Sequence, residues 1–380
     1  MPLEPRPPHP NLPRPMPTCV KRQISSSFVM TGGGTGGHVF PALAVARVLR
    51  DRGHRLLFVG TRDGMESKLV PDAGYEIDFI RIGGLNRVGA SQQLQAAFQL
   101  PSSVLAAWRI LKAFRPAAVF SMGGYVAGPV TLASLLARIP VVVMEPNAIP
   151  GLTHRRIAKR VYRALLGFES TRAWFPASKS EVTGLPVRPE FFAVQPKRSG
   201  TFTLLITGGS RGARTLNRAS RESWPRFRES PAPIRIIHQT GAAEHQALAA
   251  EFNQSGLDGE VVPFIPNMAD AFASVDLVVG RAGAGAVNEI AAASMPSVLV
   301  PFPFAADQHQ RRNAEVLVEA AAARMVVDAE MTGARLFQQV EDLRRNASDL
   351  ESMRENVRKF AKPGAAERAA AVLEEAALRS

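Results

Sequence analysis

Apolar residues in this chain follow two alternating patterns. Short runs at Phe28–Met30, Arg55–Val59, Glu76–Ile80, Ala117–Phe120 and Val141–Met144 mark the first half. A second series marks the rest: Phe202–Ile206, Ile234–His238, Val261–Phe264, Leu277–Val279, Val298–Val300 and Met325–Val327. Most are too short for a helix and are bounded by glycine, proline or polar clusters, which predicts strands buried on both faces of a parallel sheet. Between them, apolar residues recur every three or four positions in Val39–Arg52, Ser91–Phe114, Ala213–Arg226, Val287–Ala293 and Gln310–Ala323, predicting amphipathic helices. Strict alternation of this kind builds right-handed βαβ units, so the expected fold class is α/β with doubly wound sheets.

The series breaks once. Gly184-Leu-Pro-Val-Arg-Pro189 and the irregular stretch to Gly200 separate the two sets of strands. Each set opens with strand, glycine loop and helix, so we expect two Rossmann-like domains, residues 27–187 and 188–380, after a proline-rich extension over 1–26. Ala365–Leu378 is an alanine-rich helix and a candidate to pack back on the first domain. A length of 380 residues suits two domains better than one. Eight prolines and no apolar core in residues 1–17 read as a disordered extension rather than a signal peptide. The single cysteine, Cys19, excludes a disulfide framework and a cysteine-rich metal site. No apolar run approaches the roughly 18 residues of a membrane span.

Charge separates the halves further. Residues 28–187 carry 19 Lys/Arg against nine acids, whereas residues 188–380 carry 23 of each. Such asymmetry points to an anionic partner on one side only. The basic residues lack interleaved aromatics or a nucleic-acid-binding motif, so no nucleic acid is expected. An anionic membrane surface fits better, with Val104, Leu105, Trp108 and Leu111 on one face of a helix beside Arg109, Lys112 and Arg115. The same stripe also suits a core-facing helix.

Candidate chemistry sits in the loops after the strands. Thr31 to His38 holds Gly32, Gly33, Gly34, Gly36 and Gly37 between a strand and a helix that Pro41 is expected to start. Bare amides at a helix N-terminus attract phosphate, and the His38 imidazole lies beside them. The spacing Gly32-x-Gly34-x-x-Gly37 also fits a dinucleotide fingerprint. The second strand, however, ends in Gly60-Thr61-Arg62 without the acid that holds a ribose. A second loop, Ser121 to Pro129, carries Gly123, Gly124 and Tyr125 and suggests a second phosphate contact. Asn147 after the fifth strand suits a sugar hydroxyl or an Asx turn equally. In the second half, Gly208-Gly209-Ser210 offers a pyrophosphate contact at a helix start. Glu289, about two turns into a helix opened by small residues, is placed to accept two ribose hydroxyls. Asp307, Gln308, His309 and Gln310 read as sugar-hydroxyl recognition. They lack a third ligand for a metal.

Six runs in order now carry a resemblance: GGGTGGHVFPALAVA from Gly32, MGGYVAGP from Met122, EPNAIPGLT from Glu145, GGSRGA from Gly208, RAGAGAVNEIAAA from Arg281 and PFPFAADQHQ from Pro301. They resemble the MurG family of bacterial glycosyltransferases over about residues 28–375. The resemblance implies the GT-B architecture, with two Rossmann-like domains facing across a cleft. It implies inverting transfer of N-acetylglucosamine from UDP-GlcNAc to the C4 hydroxyl of the muramyl sugar of lipid I, forming lipid II. Donor contacts carried over by motif are Thr35, Gly36, Gly37, Asn147, Arg188, Ser210, Ile265, Ala284, Gly285, Ala286, Val287, Asn288, Glu289 and Gln310. Ile265 backbone would meet uracil, Glu289 ribose and Ser210 pyrophosphate. His38 matches the proposed catalytic base or orienting group. Gly33 and Gly34 with Gly123, Gly124 and Tyr125 would receive the acceptor diphosphate. The chain departs from the family pattern at Pro146, Leu185, Arg211 and Ala282. No cofactor and no metal are expected, because no Asp-x-Asp signature is present. Expected partners are UDP-GlcNAc, lipid I, an anionic membrane surface at the cytoplasmic face and other proteins of cell-wall synthesis. The alternatives are another GT-B enzyme (a UDP-GlcNAc 2-epimerase or a transferase to a different lipid) and a non-catalytic UDP-sugar-binding subunit.

Overall fold

The computed structural model describes residues 25–34, 36–82 and 90–379, the side chains of 90–98 excepted; the extension through residue 24, with Cys19, and Thr35 lie outside them. The chain first lays down β1 (Ser27–Thr31), α1 (Gly36–Asp51), β2 (Arg55–Gly60), α2 (Glu66–Asp72), β3 (Ile77–Phe79), α3 (Ala90–Phe114), β4 (Ala118–Ser121), α4 (Ala127–Leu136), β5 (Val141–Glu145), α5 (Leu152–Ile157), β6 (Arg163–Leu166) and β7 (Ser180–Val182). These strands form one parallel sheet in the order β3-β2-β1-β4-β5-β6-β7. A short α6 (Pro189–Phe192) then leads to β8 (Phe202–Thr207), α7 (Arg214–Glu229), β9 (Ile234–Gln239), α8 (His245–Gln254), β10 (Asp258–Val262), α9 (Met268–Ala273), β11 (Leu277–Gly280), α10 (Ala284–Ala292), β12 (Ser297–Leu299), α11 (His309–Glu319) and β13 (Arg324–Met325). The second sheet runs β10-β9-β8-β11-β12-β13, again parallel. Helices α12 (Gly333–Arg345), α13 (Ala347–Arg358) and α14 (Ala365–Ala377) close the chain.

Both sheets reverse strand order beside their first strand, between β1 and β4 and between β8 and β11. Ligands of doubly wound folds bind outside the strand C-termini at such switch points. The first glycine loop leaves β1, the Gly123–Gly124 loop leaves β4, the Gly208–Gly209 loop leaves β8, and α10 follows β11.

The last helix does not stay with the second sheet. Ala369, Ala370, Val372, Leu373 and Ala376 of α14 share one buried cluster with Val39, Ala42, Val45, Ala46 and Leu49 of α1. Fully buried Val372 and Leu373 contribute about 1.5–3 kcal/mol each by removal from water. Arg52 and His54 meet Glu374 at 2.8 and 2.9 Å, and Arg368 grips Glu181 at 2.8 and 2.9 Å. The first domain's core is therefore completed by the chain's end.

Three local expectations change. Pro41 is inside α1 rather than at its start, because the helix begins at Gly36. Its ring removes only the bond to the carbonyl of Gly37, one turn from the helix end. The apolar stripe of α3 divides. Leu111 is buried and Val104 packs on the core, while Leu105 and Trp108 face outward at 47% and 39% exposure. Edge strand β10 begins at Asp258, three residues before the apolar run, with Asp258 pairing to Arg235 at 3.0 Å.

Candidate active site

The two glycine loops of the first domain meet face to face. Gly123 and Gly124 both have φ of +83°, the left-handed region in which a side chain is strained. Space confirms the requirement: a Cβ on Gly123 would lie 3.0 Å from His154 Cε1, and one on Gly124 3.0 Å from the Gly33 carbonyl oxygen. The Tyr125 ring packs on Gly34, whose Cβ would lie 2.9 Å from Tyr125 Cε1. Helix α4 then starts at Ala127, so only Gly123 to Tyr125 belong to the loop crest.

His38 stands in the first turn of α1, beside Gly124, and its ring is hydrogen-bonded to the Gly33 backbone. Burial lowers its pKa below 6.5, opposed by the Glu145 carboxylate and the Gly33 bond and assisted by His154 and His309. A helix N-terminus also disfavours a cation. The ring is thus held neutral near pH 7, able to accept a proton.

Behind it lies a buried pair absent from the sequence reading. Glu145 Oε2 accepts from His154 Nδ1 at 2.8 Å and from the Gly151 amide at 3.0 Å. Oε1 accepts from the Asn147 amide at 3.1 Å and from Asn147 Nδ2 at 3.3 Å. Burial works to raise the Glu145 carboxyl, but His154 and these amides outweigh it and hold it below the usual carboxylate range. Ser121 Oγ completes the row 3.4 Å from His154 Nε2.

Asn147 is neither an Asx turn nor a cap in isolation. Its Oδ1 accepts from Asn313 Nδ2 at 3.1 Å, and the Ala148 amide donates to Asn313 Oδ1 at 2.9 Å. Asn313 is on α11, so this is a polar clasp between the two domains. Arg155 of α5 adds an ion pair to Asp307. Asp307 and Gln308 are successive non-glycine residues at φ of +48° and +52°. His309, which follows them, acts electrostatically on His38 from the opposite domain.

In the second domain, α10 divides its residues. Ala284 and Val287 enter the core, and Asn288 braces the domain junction, donating to the Ala284 carbonyl at 2.8 Å and accepting from the Leu185 amide at 3.4 Å. Gly285 faces open space, and Ala286 and Glu289 are half-buried. Burial pushes Glu289 up to about 7, with Arg188 pulling it down and Glu190 raising it. Arg188 itself stacks 4.9 Å from the Phe191 ring centre. Gln310 accepts the Phe302 amide at 3.0 Å through Oε1, which turns its amide nitrogen toward Gly283, at the start of α10. The Ile265 amide donates to buried Gln239 at 3.0 Å. Ser210 is exposed and lies four residues ahead of α7, in a turn closed by the Gly212 amide on the Gly209 carbonyl. It is therefore not at the helix start itself. Leu185 is buried in the first domain's core, whereas Arg211 is exposed.

Glu66, Thr61, His154, Gln239 and Asn313 are the polar residues that the loop motifs do not reveal. Among the described residues no group of three metal-ligating side chains occurs, and no helix is long and apolar enough to cross a membrane.

Residues 28–166 match the glycosyltransferase family 28 N-terminal domain and residues 203–369 match the family 28 C-terminal domain. The chain is 57% identical over 354 residues to the UDP-N-acetylglucosamine–N-acetylmuramyl-(pentapeptide) pyrophosphoryl-undecaprenol N-acetylglucosamine transferase of Solibacter usitatus, covering 93% of this chain and 97% of that protein. Among solved structures it is similar to MurG of Acinetobacter baumannii, with a TM-score of 0.77 and 34% identity over 92% of this chain and 99% of the other. The calicheamicin glycosyltransferase CalG4 shares the fold at 18% identity, with a TM-score of 0.69 and coverage of 94% and 99%.

Proposed function

The chain belongs to glycosyltransferase family 28, and within it to the MurG family; from that premise we propose how its own residues divide the work. The protein is a GT-B N-acetylglucosaminyltransferase acting on UDP-GlcNAc and lipid I. The observation that carries the division is placement: His38 stands at the start of α1 against the glycine loops of the first domain, and Glu289 stands on α10 of the second.

The second domain takes the donor. Ionised Glu289 accepts both ribose hydroxyls, with Arg188 stabilising its charge. The Ile265 backbone, held from behind by buried Gln239, meets the base, the Ser210 loop and the N-terminus of α10 meet the pyrophosphate, and Gln310 with Asn147 meets the sugar. The first domain takes the acceptor diphosphate at the Gly123–Tyr125 loop rather than at Gly33–Gly34, where the Gly34 amide already donates to Glu66. His38 removes the proton from the C4 hydroxyl as its oxygen attacks the anomeric carbon. The bond from that carbon to the UDP oxygen breaks, and UDP leaves with the electron pair on the opposite face, inverting the centre. Backbone amides at the helix start stabilise the departing diphosphate. With no Asp-x-Asp pattern in the sequence, we assign no metal to this step.

The basic first domain faces an anionic membrane as a peripheral protein. Leu105 and Trp108 project from α3, and Leu132 and Leu136 from neighbouring α4. Lys112 lies 5.1 Å from the Trp108 ring centre. Apolar side chains flanked by cations suit the headgroup boundary.

One assay tests this reading: labelled GlcNAc transfer to lipid I in vesicles with excess chelator. We expect full transfer under chelation and a several-fold lower rate when anionic lipid is replaced by neutral lipid. Activity lost with chelator and restored by a divalent ion contradicts the metal-free step. Indifference to lipid charge contradicts the membrane assignment.

A further inference from the structure

Glu66 opens α2, is 1% exposed, and takes no part in the motifs above. Its Oε2 accepts the Gly34 amide at 3.0 Å, and its Oε1 accepts the Thr61 amide at 3.0 Å and Thr61 Oγ1 at 2.8 Å. Three glycines make room for it. A Cβ on Gly33, Gly60 or Gly64 would fall 2.4, 2.6 or 2.1 Å from the nearest Glu66 side-chain atom. Thr61 Oγ1, already donating to Glu66, lies 3.4 Å from the Tyr125 hydroxyl. One buried carboxylate therefore joins the β1 loop, the β2 turn and, through Thr61, the β4 loop.

We propose that Glu66 is a positioning residue for the transferase: as an internal anion it fills the Gly34 amide that a phosphate would otherwise use, and so fixes the Gly33–Gly34 stretch in the shape that presents His38. The Gly33 backbone bonded to His38 and the Gly34 amide bonded to Glu66 are consecutive. A peptide gripped on one side by a carboxylate cannot rotate to release the imidazole on the other. The Gly34 amide is already taken, and a second negative charge beside Glu66 is disfavoured. The acceptor diphosphate is thereby directed to the Gly124–Tyr125 side of the β4 loop, since the Gly123 amide donates to Ser121 Oγ at 3.3 Å, and Tyr125 there is tethered to the same network.

The kinetic part rests on the transferase reading, so the test has an arm that does not. In Glu66→Gln, a near-isosteric change that replaces one accepting oxygen with a donor, kcat with lipid I should fall about 10–100-fold, the range expected for a displaced base. UDP affinity should stay within twofold, since UDP binds the other domain. In the ligand-free protein, the His38 ring followed by NMR should titrate at lower pH than in the wild type. The Gly33 bond that favours its protonated form is loosened, while Glu145, His154 and His309, the titratable groups acting on it, are unchanged. Thr61→Val, which removes one of three donors, should act in the same direction with about a three- to tenfold loss in kcat, and carries the test if Glu66→Gln does not fold. An unmoved His38 titration overturns the inference whatever the transfer assay gives. So does a kcat within twofold of wild type, or an equal loss of UDP binding. A wild-type protein that fails to transfer refutes the transferase reading instead, and the titration still decides the role of Glu66.

Discussion

His38→Ala should lower kcat for transfer to lipid I by about 10²–10⁴-fold, the usual contribution of a positioned base, while UDP binds within twofold of wild type. The split follows from placement. His38 stands at the start of α1 against Gly33 and Gly124, and the groups assigned to UDP belong to the other sheet. Direction of pH dependence follows too. Burial holds the ring below 6.5, so the reactive neutral form persists to lower pH than in a free histidine. The acid limb of log kcat at saturating UDP-GlcNAc, where Glu289 is already occupied, should accordingly bend below pH 6.5. His38→Asn separates proton transfer from orientation, because an amide can still donate to a backbone carbonyl but cannot take the hydroxyl proton. Near-wild-type kcat in His38→Asn would make His38 an orienting group and move the base elsewhere.

Glu289→Gln should weaken UDP about 10–100-fold at pH 8, equivalent to the loss of about 1.4–2.8 kcal/mol of charge-assisted hydrogen bonding to the ribose. The sign with pH is fixed by burial. The carboxyl titrates at about 7, so it is ionised above that value and increasingly protonated below it. Wild-type affinity should therefore be greatest above pH 7 and decline as pH falls, whereas Glu289→Gln should be flat across the same window. A raised carboxyl pKa also means that folding works against the ionised form. Above pH 7 the ligand-free Gln variant should consequently melt at a higher temperature than wild type, a stability surrendered for binding. Isothermal titration with UDP at pH 6 and 8, beside thermal melts, reads both effects. Parallel pH slopes for the two proteins would remove Glu289 from ribose recognition.

Periodicity made the architecture legible because buried parallel strands carry nearly continuous apolar runs. The strands it missed are short or lack such runs. Ser180–Val182 is a three-residue edge strand of Ser, Glu and Val, and Arg163–Leu166 is four residues long at the sheet's far side. Edge position also explains β10, which exposes alternate polar residues and so pairs before its apolar end. Pro41 reads as a helix start because proline favours the first turn, yet α1 already begins at Gly36 and Pro41 falls inside it.

The placement of the candidate residues was legible where a glycine or small-residue loop leaves a strand, as at His38 in the first turn after β1, Gly123–Gly124 after β4 and Glu289 on the helix after β11. It was hidden where a side chain's partner is distant in sequence. Nothing local to Glu66 announces that its carboxylate meets the Gly34 amide 32 positions away, nor does Asn313 announce Asn147 across 166 positions. Val287 and Asn288 show the converse. They stand inside the run of small residues that opens α10, yet their side chains serve the core and the domain junction.

The division of labour between the two domains is tested most directly by one crossed set of steady-state assays. Wild type, His38→Ala, Glu289→Gln and the double variant would be compared with labelled UDP-GlcNAc and a lipid I analogue at pH 8. The account predicts labelled disaccharide lipid from wild type, a loss in kcat alone for His38→Ala, and a rise in donor KM alone for Glu289→Gln. In the double variant the two losses should multiply, as they do for sites that act independently. Both single variants losing donor affinity together, or wild type releasing the sugar to water while lipid I goes unglycosylated, would contradict it.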